Sequence, residues 1–263
     1  MFFSFRLLGR EIPLYGLCIV IGGAIASLIA ARIFQKQGWP VDDLILSETL
    51  GIAGAFLGAK LLFLAVSWKQ IDWSYIRDLE TFNNFMSTGF VFYGGLIGAA
   101  AGLFFTWKVW KIPVIRYLDK IAFCIPLGHG FGRIGCFCGG CCYGIPWTGP
   151  LHIIFPESNP YTLSGVPLFP VQLLEAAVLF LISFTLYLAY RQNRKHLFAD
   201  YILLYAPSRF LIEFLRYDDA ERGFWGILST SQWVSILLFA AALLYLTIIY
   251  KEGDHYGSSI RRT

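Results

Sequence analysis

Charged side chains interrupt the long apolar runs of this sequence at only a few positions, and these positions suggest its chemistry. Arg209, Glu213 and Arg216 are spaced four and three residues apart, which places them on one face of a helix. Two guanidinium groups around one carboxylate leave one positive charge unneutralised. Because guanidinium groups match phosphate oxygens in charge and geometry, the pattern predicts a site for a phosphate-bearing ligand. A self-paired packing element is the structural alternative.

The stretch 128–144 is rich in glycine and carries a second candidate site. It holds seven glycines in seventeen residues, and glycine permits close backbone approach and positive φ angles. Arg133, in the middle of the stretch, is the predicted anion contact, assisted by exposed backbone N–H groups. His129 precedes it by four residues, either as a polar residue at a helix end or as a catalytic group.

Polar side chains also stand in three other apolar runs. Gln172 and Glu175 lie three residues apart on one predicted helix face and form a candidate hydrogen-bonding pair. Tyr15 begins the first run, either as an aromatic anchor at the membrane interface or as a substrate contact. Lys60 and Glu48 lie within the second run, where charge is costly, and are candidates with an interior salt bridge as the alternative.

A further run begins with Tyr93, Gly94 and Gly95. Small residues let transmembrane helices approach closely, so helix packing is the structural explanation for the two glycines. Substrate binding is the functional explanation.

The elements that position these residues follow from composition. Of the 263 residues, 57% are hydrophobic and only 14% are charged, whereas a soluble domain is about 25% charged. The mean hydropathy is +0.60. These values exclude an ordinary soluble enzyme, a disordered chain and a nucleic-acid-binding protein. They indicate an integral membrane protein.

The apolar runs are long and uniform, without the two-residue alternation of an outer-membrane barrel. Each helical span needs about 20 apolar residues. We therefore expect an all-α integral membrane protein of about seven transmembrane helices, forming a single domain over 1–263 with a small outward-facing cap at 133–168. The predicted spans are 13–33, 44–66, 89–107, 118–132, 169–190, 198–216 and 232–250.

Basic residues predict the orientation of these spans. Twelve of the 21 lysines and arginines fall in the loops 31–43, 107–120 and 191–197 and in the tail after 250. The positive-inside rule places that side in the cytoplasm, so the N-terminus is expected outside and the C-terminus inside. The first apolar run shows no clear cleavage site, and we expect it to remain as a span.

Four of the six cysteines fall within seven residues, at positions 136, 138, 141 and 142. Three interpretations remain open. They could bind zinc or an iron–sulfur cluster, although one tight run without a distant second pair is poor ligand spacing. They could form disulfides on the outward side, or they could be small packing residues.

Taken together, these segments resemble the family of phosphatidylglycerol–prolipoprotein diacylglyceryl transferases. The order and spacing of the segments agree over nearly the whole chain. The resemblance rests on Tyr15-Gly16, Tyr93-Gly94-Gly95-Leu96-Ile97-Gly98, Gly132-Arg133-Ile134-Gly135, the Pro170/Gln172/Glu175 segment, and Arg209-Phe210 with Glu213-Phe214 and Arg216.

The resemblance implies transfer of an sn-1,2-diacylglyceryl group from phosphatidylglycerol to the lipobox cysteine thiol of prolipoproteins. The products would be a thioether and glycerol 1-phosphate. It also implies a multi-pass protein of the bacterial inner membrane whose partners are phosphatidylglycerol, the prolipoprotein signal peptide and membrane lipids. We expect no cofactor, no metal and no nucleic-acid partner.

The resemblance also implies roles for the candidate residues. Arg133 and Arg209 would stabilise the departing phosphate, Glu213 would orient them and Arg216 would assist. The headgroup site would be lined by Tyr15, Gln172, Tyr93, Gly94 and Gly95.

The chain departs from the family pattern in two places. The family often has histidine where this chain has Tyr93, and a phenol is a poor base at neutral pH. Either no base is required there or His129 replaces it. The family signature continues with Asn, Asn and Glu, where this chain has Cys136, Gly139 and Cys141.

Two other functions stay open. The altered signature fits a paralogous membrane transferase with a different lipid donor or acceptor. A non-enzymatic lipid-binding or transport protein is the other possibility, but a transporter would usually show paired halves, and none is visible.

Overall fold

Long helices dominate the computed structural model of this chain, as its apolar runs predict. The structure describes residues 4–7, 10–69, 71, 73, 79–87, 89–156, 163–217 and 223–260. The helices of this part are α1 (Leu14–Gln37), α2 (Val41–Ser67), α3 (Leu79–Ser87), α4 (Phe92–Trp110), α5 (Val114–Ile121), α6 (Cys124–Gly139), α7 (Val171–Arg191), α8 (Leu197–Ile212) and α9 (Thr230–Ile260). A 3₁₀ turn, Glu213–Leu215, follows α8 directly.

Three short antiparallel hairpins complete the described structure. They are β1 (Ser4–Leu7) with β2 (Arg10–Pro13), β3 (Ile153–Ile154) with β4 (Pro167–Leu168), and β5 (Phe224–Trp225) with β6 (Leu228–Ser229). The β3–β4 hairpin lies within the predicted cap at 133–168. Residues 133–139 at the start of that range are the last turns of α6 rather than loop.

The described residues contain five helices that are long and apolar enough to cross a membrane, namely α1, α2, α4, α7 and the Thr230–Ile249 part of α9. The pair α5 and α6, bent by 64°, would make a sixth. The chain is therefore an all-α multi-pass membrane protein, and the predicted count of seven is not confirmed. The missing span is 198–216, because α8 has 16 residues and reaches roughly 24 Å against a bilayer core of about 30 Å.

The chain divides into two units, a larger one formed by Met1–Ala30 with Leu118–Thr263 and a smaller one formed by Ala31–Tyr117. In the smaller unit, α2 and α4 approach at glycines. A side chain at Gly54 or Gly58 would collide with the backbone of Gly98, and one at Gly102 would collide with the backbone of Leu50. This is the small-residue packing of membrane helices.

In the larger unit, glycines of α6 let it lie close to α1 and α7. A Cβ at Gly130 would come within 2.6 Å of the Phe180 ring on α7, and a Cβ at Gly135 within 2.9 Å of the Tyr15 carbonyl oxygen on α1. Ser183 of α7 donates a buried hydrogen bond to the Phe123 carbonyl, 2.8 Å away, at the start of α6. The glycine-rich stretch up to Gly139 is therefore a tightly packed helix, which fixes the direction of the polar side chains it carries.

Candidate active site

The end of α8 buries an ion pair. Arg209 Nη2 lies 2.7 Å from Glu213 Oε2, and only 10% and 1% of the two side chains are exposed. The spacing of four residues brings them together on one turn, as the sequence predicts. The helix tightens into the 3₁₀ turn at Glu213, so the carboxylate sits where the chain leaves α8.

The start of α9 supports Glu213 from the other side. Hydroxyl groups of Ser229 and Ser231 donate hydrogen bonds to the Glu213 carboxylate, and their oxygens lie 3.0 Å apart. Sequence reasoning missed both serines, since only their position at the β6–α9 junction gives them a role. Because these hydroxyl groups and Arg209 hold the carboxylate, Glu213 is a fixed anion that positions Arg209 rather than a mobile base.

Arg209 is left with unused hydrogen-bonding capacity. Its Nη1 atom is buried and has no hydrogen-bond partner among the described residues. A buried guanidinium N–H without an acceptor costs free energy, so this atom indicates a position for an anionic or polar ligand.

A second buried ion pair joins α6 to α7. Arg133 Nη2 lies 3.1 Å from Glu175 Oε1, with 12% and 3% of the side chains exposed. Arg133 Nε also donates a hydrogen bond to His129 Nε2 at 3.3 Å, and Arg133 hydrogen-bonds Tyr205 of α8. Helices α6, α7 and α8 therefore converge on one guanidinium group.

The contact between Arg133 and His129 bears on the role of the histidine. Arginine has no acceptor lone pair, so Nε2 of His129 must be the acceptor in this bond. Its ring also lies 5.6 Å from that of Tyr205. The geometry gives His129 a role in positioning Arg133, and the nitrogen that faces the arginine is occupied.

Glu213 was expected to orient both Arg133 and Arg209, but in the structure each arginine has its own carboxylate. Glu213 pairs with Arg209, and Glu175 pairs with Arg133. Glu175 belongs to the predicted hydrogen-bonding pair with Gln172 but was not predicted as a site residue. Both guanidinium groups act electrostatically on His129, so the two ion pairs belong to one polar cluster.

Gln172 lies beside this cluster, almost fully buried at 1% exposure. Its Nε2 donates a hydrogen bond to the Cys141 carbonyl at 2.8 Å, and its Oε1 has no partner among the described residues.

Arg216 is fixed through its backbone, which forms a β-bridge with Gly144, and it acts electrostatically on Glu213. Arg216 therefore adds positive charge beside the ion pair of Arg209 and Glu213.

The remaining predicted residues fall in two places. Tyr15 lies against Gly135 and Gly139 of α6 and acts electrostatically with Arg133, so it joins the cluster. Tyr93, Gly94 and Gly95 begin α4 in the smaller unit. There Gly94 packs against the backbone of Gly58, which is the helix-packing explanation of the motif.

The cysteines of the glycine-rich stretch form a group of their own. The sulfur atoms of Cys136, Cys141 and Cys142 all lie within 4.8 Å of one another, and all six cysteines carry free thiols. Hydrogen bonds from the Cys136 and Cys141 thiols lower the pKa of Cys142. Cys138 points elsewhere, toward Cys18.

Comparison with known proteins identifies relatives over most of the chain. A family profile described as "Prolipoprotein diacylglyceryl transferase" matches residues 3–248. A phosphatidylglycerol–prolipoprotein diacylglyceryl transferase of Clostridium tetani is 34% identical over 246 residues, covering 93% of this chain and 96% of the relative. A second, numbered 2, from Clostridium perfringens is 32% identical, with coverage of 94% and 95%. One from Aeromonas hydrophila is 31% identical, with coverage of 98% and 93%.

Proposed function

The chain belongs to the prolipoprotein diacylglyceryl transferase family, and we propose that its buried arginines carry out the transfer for which these relatives are named. The donor is phosphatidylglycerol and the acceptor is the lipobox cysteine thiol of a prolipoprotein. The sn-1,2-diacylglyceryl group moves to sulfur, and glycerol 1-phosphate leaves.

The observation that supports this most is the Nη1 atom of Arg209, which is buried and has no hydrogen-bond partner among the described residues. A buried guanidinium N–H without an acceptor costs free energy, and an anionic ligand that supplies the acceptor removes that cost. The guanidinium group of Arg216 adds positive charge beside Glu213. An anionic phosphodiester headgroup satisfies both the hydrogen bond and the charge.

The chemistry requires this arrangement. A sulfur nucleophile attacks the glycerol carbon that bears the phosphate, the C–O bond breaks, and negative charge grows on the departing phosphate. Arg133 and Arg209 stabilise that charge, and they are held in place before the reaction by Glu175 and Glu213, so little reorganisation is needed. His129 positions Arg133.

The remaining candidate residues bind the substrate headgroup in this proposal. Arg216 adds positive charge. The Oε1 of Gln172, which has no partner among the described residues, accepts a hydrogen bond from a glycerol hydroxyl. Tyr15 contacts the headgroup from α1. Tyr93, Gly94 and Gly95 belong to the same proposal through the family motif, with Gly94 serving packing as well.

The orientation belongs to the proposal too. The chain would lie in the bacterial inner membrane with its N-terminus outside and its C-terminus in the cytoplasm, because basic residues concentrate in one set of loops. The reaction would then occur on the outward side, where prolipoproteins emerge. Reactivity of single introduced cysteines toward an impermeant thiol reagent in intact cells tests this.

The function is tested by transfer of labelled diacylglycerol from phosphatidylglycerol to a lipobox peptide by purified protein in lipid vesicles. Arg133→Ala and Arg209→Ala should each lower kcat by about 10²–10³-fold, as expected for loss of a donor to transition-state charge. Arg194→Ala is the matched control, because Arg194 also pairs with a carboxylate, Asp200, at 2.7 Å but is 57% exposed. Wild-type rates in both buried-arginine variants would contradict the assignment, and a folded wild type without transfer would indicate another donor or acceptor.

A further inference from the structure

We propose that Cys136, Cys141 and Cys142 bind one soft divalent cation, with Zn²⁺ as the occupant, and that its open coordination position receives the acceptor thiol. The first part concerns a metal site and stands alone. The second part rests on the proposed function, because it assigns the cation a task in alkylating a thiol.

The end of α6 brings two of the ligands together. Gly140 follows the helix in the left-handed conformation, with φ of 72°. Its N–H bonds to the Phe137 carbonyl at 3.3 Å, and the Cys141 N–H bonds to the Cys136 carbonyl at 3.2 Å. This is the Schellman pattern, in which the residue after the glycine contacts the residue five positions earlier. It places the thiols of Cys136 and Cys141 side by side although they are separated along the helix axis.

The third ligand follows from the next residue. Cys142 has a positive φ of 56°, which turns the chain back, and Gln172 fixes the turn by its hydrogen bond to the Cys141 carbonyl. As a result the three sulfur atoms lie within 4.8 Å of one another. Three thiolates on one Zn²⁺ lie about 3.8 Å apart, given a metal–sulfur distance of ~2.3 Å. Small side-chain rotations close that difference.

The donor set and its surroundings fit a soft cation. Thiolates favour Zn²⁺ over Mg²⁺ or Ca²⁺. Three thiolates and one Zn²⁺ carry one net negative charge, and the guanidinium groups of Arg133 and Arg216 act electrostatically on the Cys142 sulfur. The positive charge of these two groups therefore favours a metal site that carries net negative charge.

The site offers three protein ligands. No fourth histidine, cysteine or carboxylate joins the group among the residues that the structure describes, and Cys138 is directed toward Cys18. Structural zinc sites have four protein ligands, whereas catalytic sites have three and an open position. Cys136 is buried while Cys141 and Cys142 are half-buried, so the group is approached from the side of the latter two.

An open thiophilic position next to Arg133 suits this reaction. A thiol that coordinates zinc is deprotonated, and its proton passes to water. The bound sulfur then forms the S–C bond to the glycerol carbon, the C–O bond breaks, and its electron pair leaves on the phosphate oxygen near the arginines. The acceptor is thereby activated without a histidine at position 93.

The first test measures metal content. Wild-type protein purified in detergent, without chelator, should contain one Zn²⁺ per chain by elemental analysis. Cys136→Ser, Cys141→Ser and Cys142→Ser should each lose it. Cys138→Ser is the matched control, two residues from Cys136 but directed elsewhere, and should retain it. Protein that holds no zinc after incubation with Zn²⁺, or in which two of the three cysteines are joined in a disulfide as purified, overturns the site.

The second test asks whether the bound metal activates the acceptor thiol, separately from whether the three cysteines bind a metal. Protein loaded with Co²⁺ should show thiolate-to-metal absorption, and a lipobox peptide should change that spectrum, whereas the same peptide with serine at the acceptor position should not. Removing the metal should lower transfer by roughly 10²-fold, the usual contribution of activating a nucleophile by proton removal. A metal-free protein that transfers at the wild-type rate overturns the assigned task and leaves the proposed function standing. If Co²⁺-loaded protein shows the cysteine-specific spectral change but zinc-loaded protein gives no transfer, the proposed function is contradicted and the thiol-binding site stands.

Discussion

The two units of this chain bury polar groups in opposite ways. In the smaller unit, Ala31–Tyr117, α2 and α4 meet through glycines, and the buried charge among the described residues is that of Lys60. Its ammonium group is satisfied locally, by the Phe85 carbonyl and by the rings of Phe63 and Phe85.

The larger unit buries two Arg–carboxylate pairs and leaves the Nη1 of Arg209 without a partner in the described chain. Replacing buried ion pairs by apolar residues is often neutral or stabilising, and ionisable residues within membrane segments are costly. A cluster that is costly and still incomplete is explained by a ligand. The comparison therefore teaches that unmet hydrogen-bonding capacity, more than buried charge itself, marks the site.

The largest effect should come from breaking the pair that the sequence did not predict. Glu175→Ala removes the carboxylate that holds Arg133, so the guanidinium loses its fixed position. Misplacement of a catalytic group by about 1 Å can cost 10²-fold, and we expect a loss of that order in kcat. Glu175→Gln keeps the shape and one acceptor, and its loss should be smaller.

The control for this prediction is Asp200→Ala, which removes the carboxylate of the Arg194 pair near the start of α8, where Arg194 is 57% exposed. Its transfer rate should match wild type. Thermal unfolding of all three variants distinguishes lost activity from lost protein. If Glu175→Ala has the wild-type kcat, Arg133 needs no carboxylate partner for the reaction. The proposed difference between the polar groups of the two units would then be wrong.

The sequence predicts the local part of this site. Arg209 and Glu213 meet because they are one helical turn apart, and the apolar runs predict the helices that carry them. The pair of Arg133 and Glu175 depends on how α6 packs against α7 through Gly130 and Phe180. No spacing along the chain contains that information, so the sequence predicts Glu175 only as a partner of Gln172.

Two other features, the end of α8 and the cysteine group after α6, could not be predicted from hydropathy and residue spacing. The apolar residues over 198–216 predict a span, yet the helix ends at Ile212 and a 3₁₀ turn follows. Cys136 and Cys141 are poor metal ligands by spacing, but the helix-ending motif at Gly140 folds them together. In both cases the outcome depends on how a helix terminates, which is the least predictable part of a helix.

The smaller unit is best tested through its glycines. Gly54→Ala places a methyl group against the backbone of Gly98, which cannot yield as a side chain can, and overpacking of this kind costs about 1–3 kcal/mol. Gly51→Ala is the matched control on the same helix, where the new Cβ would meet only the Leu103 side chain at 3.6 Å. Thermal unfolding in detergent should show a lower Tm for Gly54→Ala alone. Equal stability of the two variants would mean that α2 and α4 do not depend on this contact.

The smallest effect should come from substituting Lys60. This substitution tests whether a buried charge by itself marks a residue that takes part in the reaction. Lys60→Met keeps the length of the side chain but removes the hydrogen bond to the Phe85 carbonyl and the contact with the Phe85 ring, whose centroid lies 4.1 Å from Nζ. We expect a loss of about 1 kcal/mol in stability and an unchanged kcat per folded molecule. Lys108→Met is the control, since its ammonium lies 5.9 Å from the Phe104 ring in an exposed position. If Lys60→Met folds normally but abolishes transfer, then a fully satisfied cation also serves the reaction, and unmet hydrogen-bonding capacity loses its value as the marker of the site.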